Sequence, residues 1–267
     1  MSERVTTEIE NQIATVTLNR PDKHNGLDMP MLHELIAAGR RIRKDRDIRV
    51  VIMKGNGPSF CAGLDFGSAA KKPAGIARAF LKAPLAERNA FQEMCWVWRE
   101  LPLPVIAVVH GNCFGGGLQL ALAADFRLAS ADARLSVMEI KWGLIPDLTG
   151  TKTLAELLRM DQVKELAMTG RIVDADESLR LGLLTRLCDD PLAEAAEMAT
   201  LLASKSPDAL AGIKQVIQEN WNEDDSGALA RERRIQARIL TRKNQRIAMQ
   251  ANFKGETPKF RPRGSWK

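Results

Sequence analysis

Val105-Ile106-Ala107-Val108-Val109-His110-Gly111-Asn112-Cys113-Phe114-Gly115-Gly116-Gly117-Leu118-Gln119 is the stretch on which the fold turns. Val105 to Val109 is wholly apolar, as a strand covered on both faces of a parallel sheet must be. Three consecutive glycines follow, and Leu118 to Ala124 then reads as helix. Glycines at such a junction let a ligand approach the backbone and leave amide groups at a helix N-terminus free to hold negative charge. A second turn of the same character, Ser59-Phe60-Cys61-Ala62-Gly63-Leu64-Asp65, follows the apolar run from Val50 to Lys54. Two such turns, each delivering one backbone N–H, meet the requirement of an oxyanion hole.

Outward from these turns the pattern alternates. Thr6 to Glu10 and Ile13 to Leu18 alternate apolar and polar residues and predict a hairpin through Asn11-Gln12. Asn19 to Gly26 is dense in turn formers. Met31 to Lys44 has helical spacing at Leu32, Leu35, Ile36 and Ile42, with Asp28 and Pro30 as start signals. Phe66 to Pro84 reads as a mobile loop with some helix, and Ala86 to Leu101 as a helix stopped by Leu101-Pro102-Leu103-Pro104. Phe126 to Ala129 and Arg134 to Ser136 read as short strands, and Gly143 to Pro146 as a loop. From Thr151 nearly everything is helical: Thr153–Arg159, Gln162–Met168, Asp174–Leu181, Leu192–Ser204, Ala209–Glu219 and Gly227–Gln250, with one strand near Leu184 to Leu187. Strands alternating with helices, then helices alone, predict an α/β core over residues 1–200 and a helical region with a basic tail over 201–267.

Composition removes several function classes. At 267 residues the chain is long enough for one sizeable core. No apolar run approaches the roughly 18 residues of a membrane span, and the N-terminus has no apolar signal core, so a cytoplasmic protein is expected. The four cysteines are scattered without C-x-x-C spacing, which favours free thiols over disulfides or zinc, and no metal is expected. Of the three histidines, His110 closes an apolar strand, which leaves a Ser–His–Asp hydrolase poorly supported. The net charge of +6 is uneven: Arg40, Arg41, Arg43, Lys44 and Arg46 crowd one helix, and Lys254, Lys259, Arg261, Arg263 and Lys267 crowd the tail. That pattern fits solvated helix faces and a disordered tail, or else an anionic partner. With 5% aromatic residues and no tyrosine there is no visible base-stacking platform, so nucleic acid is not the expected partner. Coenzyme A, with its phosphates and adenine, suits an anion site better.

Together with Met138-Glu139-Ile140-Lys141-Trp142-Gly143-Leu144-Ile145-Pro146-Asp147, the two turns resemble the crotonase (enoyl-CoA hydratase/isomerase) superfamily, from about Val5 to Phe253. The resemblance implies an α/β fold of repeated ββα units wound into a spiral, with a helical C-terminal trimerisation region. It also implies a homotrimer or dimer of trimers, an acyl-CoA substrate, and no metal or redox cofactor. Matched onto this sequence, the two oxyanion donors are the N–H groups of Leu64 and Gly116. Proton removal at C2 of a thioester makes an enolate, whose oxygen needs donors fixed in advance. Backbone near Ala62, Leu64 and Asp65 is implied in holding coenzyme A, with Arg20, Lys23 or Lys254 on its phosphate. The acyl pocket is expected from Phe66 to Phe91.

The hydratase pattern has two glutamates, and here the first position is Gln119 and the second Glu139. Gln119 can orient a water but cannot serve as a carboxylate base. An isomerase needs only one carboxylate to remove a proton and return it. Asp147 matches an acidic position of dienoyl-CoA isomerases, although those also carry an aspartate where Gln119 stands. As a bare residue Asp147 also reads as an N-cap for the helix near Thr151. The expectation is therefore a 3-enoyl- or 3,5-dienoyl-CoA isomerase with catalytic Glu139, Asp147 and Gln119. The alternatives are a 2-enoyl-CoA hydratase using Glu139, and a non-catalytic CoA- or RNA-binding scaffold.

Overall fold

A computed structural model describes residues 3–70, 73–82 and 85–266. The chain opens with a hairpin of β1 (Val5–Glu10) and β2 (Ile13–Leu18), paired from Val5 opposite Leu18 to Glu10 opposite Ile13. Asn11 (φ 49°) and Gln12 (φ 68°) both take the left-handed conformation that a two-residue hairpin turn demands. Helix α1 (Met29–Lys44) starts where Asp28 accepts the Met31 N–H at 2.9 Å, and it buries Leu32, Leu35, Ile36 and Ile42 as their spacing predicts. Strand β3 (Val50–Gly55) follows.

The segment from Phe66, expected as a mobile loop with some helix, contains two helices, α2 (Phe66–Ala70) and α3 (Pro73–Phe80); residues 71, 72, 83 and 84 lie outside the described residues. Helix α4 (Ala90–Arg99) begins later than expected, because Asn89 and Gln92 form a reciprocal capping box that stops the helix there. Then come β4 (Val105–Val109), β5 (Asn112–Phe114), α5 (Gly116–Leu122), β6 (Phe126–Ala129) and β7 (Arg134–Ser136). The chain continues through α6 (Gly150–Leu157), α7 (Met160–Thr169), α8 (Ala175–Leu181), β8 (Arg186–Leu187), α9 (Pro191–Ala203) and α10 (Pro207–Asn220).

A six-stranded sheet runs β1-β2-β3-β4-β6-β8, parallel except for the hairpin, and β5 pairs with β7 in a second, two-stranded sheet. Both faces of the large sheet are covered. Val51, Met53, Val105, Ala107 and Val109 point into the main core with α1 and α4. Val50, Ile52, Ile106 and Val108 point the other way, onto Ala195 and Ala199 of α9. The two-residue period of a strand divides these apolar runs between two cores, which is why they contain no polar residue.

The expected helix over Gly227–Gln250 is two, α11 (Asp225–Leu240) and α12 (Lys243–Lys254). The break at Thr241-Arg242 turns Asn244 inward, where its side chain donates to Asp208 at 2.8 Å and accepts the Arg261 N–H at 2.9 Å. The tail is not the disordered segment its charges suggested. Arg263 is 2% exposed and donates to the carbonyls of Ile48 at 2.9 Å and of Arg43 and Asp45 at 3.3 Å. One guanidinium thus satisfies orphan carbonyls at the end of α1, an arrangement that needs no nearby acid. Trp266 closes the tail against Ala211 and Ile235, whereas Lys254, Lys259 and Arg261 remain exposed. Lys267 lies outside the described residues. Among the described residues no helix is long and apolar enough to cross a membrane.

Candidate active site

Strands β3 and β4 are neighbours in the sheet, so the turns that leave their C-terminal ends emerge side by side. They are stitched together by backbone bonds: Phe60 N–H to His110 O at 2.8 Å, Cys61 N–H to Asn112 O at 3.0 Å, and Phe114 N–H to Cys61 O at 3.0 Å. Glycine is required at two points of the seam. Gly63 has φ 90°, and a Cβ there would stand 2.8 Å from Phe114 O and 3.6 Å from Gly116 N. At Gly117 a Cβ would collide with the Cys61 carbonyl. The residues beside Leu64 are used up, with Gly63 O accepting from Leu27 at 2.8 Å and the Asp65 N–H donating back to Leu27 at 3.0 Å. The N–H groups of Leu64 and Gly116 themselves donate to no protein acceptor among the described residues. Two unpaired amides on adjoining turns form the kind of concave donor pair that holds an anion.

Glu139 begins a 3-10 turn, Glu139–Trp142, and is 8% exposed. Glu139 and Gln119 are both buried, and they touch. Gln119 is 1% exposed and donates from Nε2 to Glu139 Oε1 at 2.5 Å. Its Oε1 accepts the N–H groups of Leu148 and Gly150, each at 2.8 Å. Those two backbone donors fix which end of the amide is oxygen, so the nitrogen end must face Glu139. Glu139 Oε2 is buried without a hydrogen-bond partner among the described residues. Gly115 makes room for this carboxylate, since a Cβ there would lie 3.3 Å from Oε1. Burial pushes the Glu139 carboxyl above its usual range; hydrogen bonds from its own backbone and from Gln119 oppose this, and the charge of Asp147 adds to it.

Asp147 is half-buried and is likewise pushed up by burial. It is not the N-cap its position suggested, because α6 starts at Gly150 with Thr149 in the capping position. What tethers this segment is Gln119, through the N–H of Leu148. Leu148 and Gly150 were not foreseen as partners of Gln119; they lie 29 and 31 residues further along the chain, beyond any local pattern. On the other side of the Glu139 turn, Trp142 stacks on Phe66 of α2 with ring centroids 4.1 Å apart.

Arg20, expected on a phosphate, is instead buried at 8% exposure and paired with Asp65 at 2.7 Å, with Asp28 at 3.7 Å. The sequence put its neighbours in a turn, and that turn needs an internal cation: Arg20 also donates to Gly26 O at 2.9 Å. Asp65 is therefore occupied as well. Burial alone would raise its carboxyl, but hydrogen bonds from Ser68 and Arg20, with the charge of Arg20, bring it down to about 2. Lys23 is exposed, as is Lys254, and the Ala62 N–H donates to His24 O at 2.9 Å. A half-open pocket of about 240 Å³ has Leu27, Leu64, Phe91, Met94 and Leu148 among its lining residues. Phe91 and Ile76 fall in or at the edge of the segment expected to line an acyl pocket; Leu27 and Met94 come from outside it.

Fold and site together define a crotonase-type enzyme scaffold. Residues 8–262 match the family model described as enoyl-CoA hydratase/isomerase. The chain is 33% identical over 214 residues to the (E)-benzylidenesuccinyl-CoA hydratase of Thauera aromatica, covering 79% of this chain and 80% of that one. It is also 33% identical to the mitochondrial Delta(3,5)-Delta(2,4)-dienoyl-CoA isomerase of Mus musculus, covering 78% and 66%. The crystal structure of an enoyl-CoA hydratase from Polaromonas sp. JS666 matches with a TM-score of 0.85 at 30% identity, over 96% of this chain and 99% of that one. The chain belongs to the enoyl-CoA hydratase/isomerase family.

Proposed function

We propose that this protein is a double-bond isomerase acting on a 3-enoyl- or 3,5-dienoyl-CoA ester. The observation that carries this reading is the engagement of Gln119. Its oxygen is saturated by Leu148 and Gly150 and its nitrogen is turned to Glu139. A water-activating pair of carboxylates is thus replaced by one carboxylate and the amide that positions it. In the proposed reaction the thioester oxygen sits between the N–H groups of Leu64 and Gly116. Glu139, through its unpartnered Oε2, takes a proton from C2 of a 3-enoyl ester, and the electron pair moves into a dienolate whose charge rests on the thioester oxygen. The same proton is returned at C4, leaving a 2,3 double bond and no change of mass. Asp147, the second carboxyl pushed up by burial, serves as the further proton carrier that a dienoyl substrate requires.

Lys23 and the backbone at Ala62 are proposed to meet coenzyme A, and Arg20 with Asp65 to brace the turn behind them. The reaction as proposed runs on protein groups and needs no metal or redox cofactor. Exposed apolar side chains on α10 to α12, among them Ile213, Ile217, Leu229, Met249 and Phe253, support self-association as a homotrimer or dimer of trimers.

The hydratase relative supports a second reading, in which Glu139 alone activates water for 2-enoyl-CoA. Incubation with 2-enoyl-CoA in heavy water, and separately with 3-enoyl- and 3,5-dienoyl-CoA in ordinary water, each followed by mass spectrometry, separates the two. A mass-neutral shift of the double bond without hydration is expected, lost in Glu139→Gln while CoA-ester binding persists. Gain of water on the 2-enoyl ester, or turnover by Glu139→Gln, overturns the proposal.

A further inference from the structure

The turn that carries Glu139 is loosely tied to the rest of the molecule. Its backbone bonds stay local: Lys141 N–H to Met138 O at 3.1 Å, Gly143 N–H to Ile140 O at 2.9 Å, and Leu144 N–H to Glu139 O at 3.1 Å. Among the described residues, no backbone hydrogen bond runs from residues 139–147 to the backbone of another element. Ile140, Trp142, Leu144 and Ile145 are between 44% and 71% exposed. Side chains hold the turn instead. Gln119 meets the carboxylate itself. Ile140 seats on Gly170, where a Cβ would stand 2.7 Å from its Cγ2. Trp142 lies on the ring of Phe66, with centroids 4.1 Å and planes 28° apart. A stacked aromatic pair favours one relative geometry beyond the area it buries.

The attachment of Phe66 gives this contact its consequence. The Phe66 N–H donates to Leu64 O at 3.0 Å. Between them, Asp65 is fixed by Arg20 at 2.7 Å and by the Ser68 N–H at 3.0 Å and hydroxyl at 2.7 Å. Phe66 thus extends the turn of the oxyanion donor Leu64, and Trp142 shares a 3-10 turn with Glu139. We infer that Phe66 and Trp142 are a pair of positioning residues: their stack sets the distance between the carboxylate that moves the proton and the amide that holds the enolate oxygen. The inference rests on the roles proposed for Glu139 and Leu64 and adds the device that keeps the two in register. Proton transfer at C2 needs both at once, the base within reach of the proton and the donor on the developing oxyanion. A misplacement of about 1 Å costs about a hundredfold in rate. A turn this exposed needs a tether of that kind.

A double-mutant cycle in the full chain tests the pair: Trp142→Ala, Phe66→Ala and the double variant, with Trp142→Phe as the conservative change. A 3-enoyl-CoA ester in heavy water gives two rates. The first is movement of the double bond, read from the absorbance of the conjugated thioester. The second is deuterium at C2 of the recovered ester. There the C2–H bond breaks, the proton passes to Glu139 and the electron pair enters the enolate; the carboxyl exchanges with solvent and returns a deuteron to C2. Each single variant is expected to lose about tenfold to a hundredfold in kcat, with KM little altered. The double variant should be no slower than the worse single one, since either change removes the same contact. Trp142→Phe can still stack and should recover most of the rate. Urea midpoints should stay near wild type, because Trp142 is half exposed and Phe66 only half-buried. An unchanged kcat in both single variants, a loss confined to KM, losses that multiply in the double variant, or a rate loss that tracks a fallen urea midpoint overturns the inference. Wild-type exchange at C2 without movement of the double bond would overturn the isomerase reading instead, and the cycle would then be read from exchange. Neither exchange nor movement in the wild type overturns both.

Discussion

Replacing Gln119 by leucine tests the link between the two halves of the site. Leucine has similar bulk but no polar atoms. The N–H groups of Leu148 and Gly150, each 2.8 Å from Gln119 Oε1, would be left buried and unpaired. Each such orphan costs about 1–3 kcal/mol, so the variant should lose roughly 2–6 kcal/mol of stability. Against a typical total of about 5–15 kcal/mol that is a large fraction. The same change removes the 2.5 Å donor to Glu139. That bond favours the ionised carboxyl, so its loss moves the acid limb of the pH–rate profile upward. Gln119→Glu separates the two effects. Its oxygen still accepts the backbone donors and the fold should hold near wild-type stability. Its other oxygen, however, now faces Glu139 at hydrogen-bond distance, and the pair must share a proton. Isomerisation should fall while hydration of a 2-enoyl ester appears. Urea unfolding followed by the fluorescence of the five tryptophans reads the first effect, and kcat/KM against pH the second. A Gln119→Leu variant within about 0.5 kcal/mol of wild type and with an unmoved acid limb refutes the role given to Gln119.

Two further outcomes follow from the charges. Because burial raises the carboxyls of Glu139 and Asp147, their contribution to stability is fully present below the ordinary values of 4.5 and 3.8 and is lost as pH rises through the raised ones. Glu139→Gln and Asp147→Asn should therefore be more stable than wild type at neutral pH, with the difference vanishing in acid; denaturant midpoints at the two pH values check this. Arg20→Ala should cost about 3–5 kcal/mol, since it strips the buried partner from Asp65 and Asp28. An unaltered melting curve would return Arg20 to the phosphate contact first expected of it.

Elements whose causes are local are legible in the sequence. Val50–Met53 and Val105–Val109 stand out because a strand packed on both faces tolerates no polar residue, and Asp28 because an N-cap acts on its own neighbours. The start of α4 is not at Ala86, where apolar spacing persists, because the Asn89–Gln92 box has priority. The break between α11 and α12 is invisible in the sequence because its cause, Asn244 reaching Asp208, spans 36 residues. In the sequence Arg20 looks like a phosphate contact and Arg263 like tail charge, and both are buried: one against acids, the other against bare carbonyls.

The glycine turns, their order and the substitution of Gln119 for a carboxylate are properties of the chain as written, since each depends on residue type and local backbone freedom. That the Leu64 and Gly116 amides have no protein partner among the described residues, that Gln119 points its nitrogen at Glu139, and that Asp147 is no helix cap were decided only by packing. These depend on contacts between residues 20 or more positions apart, where no local periodicity acts and only the assembled sheet brings the partners into reach.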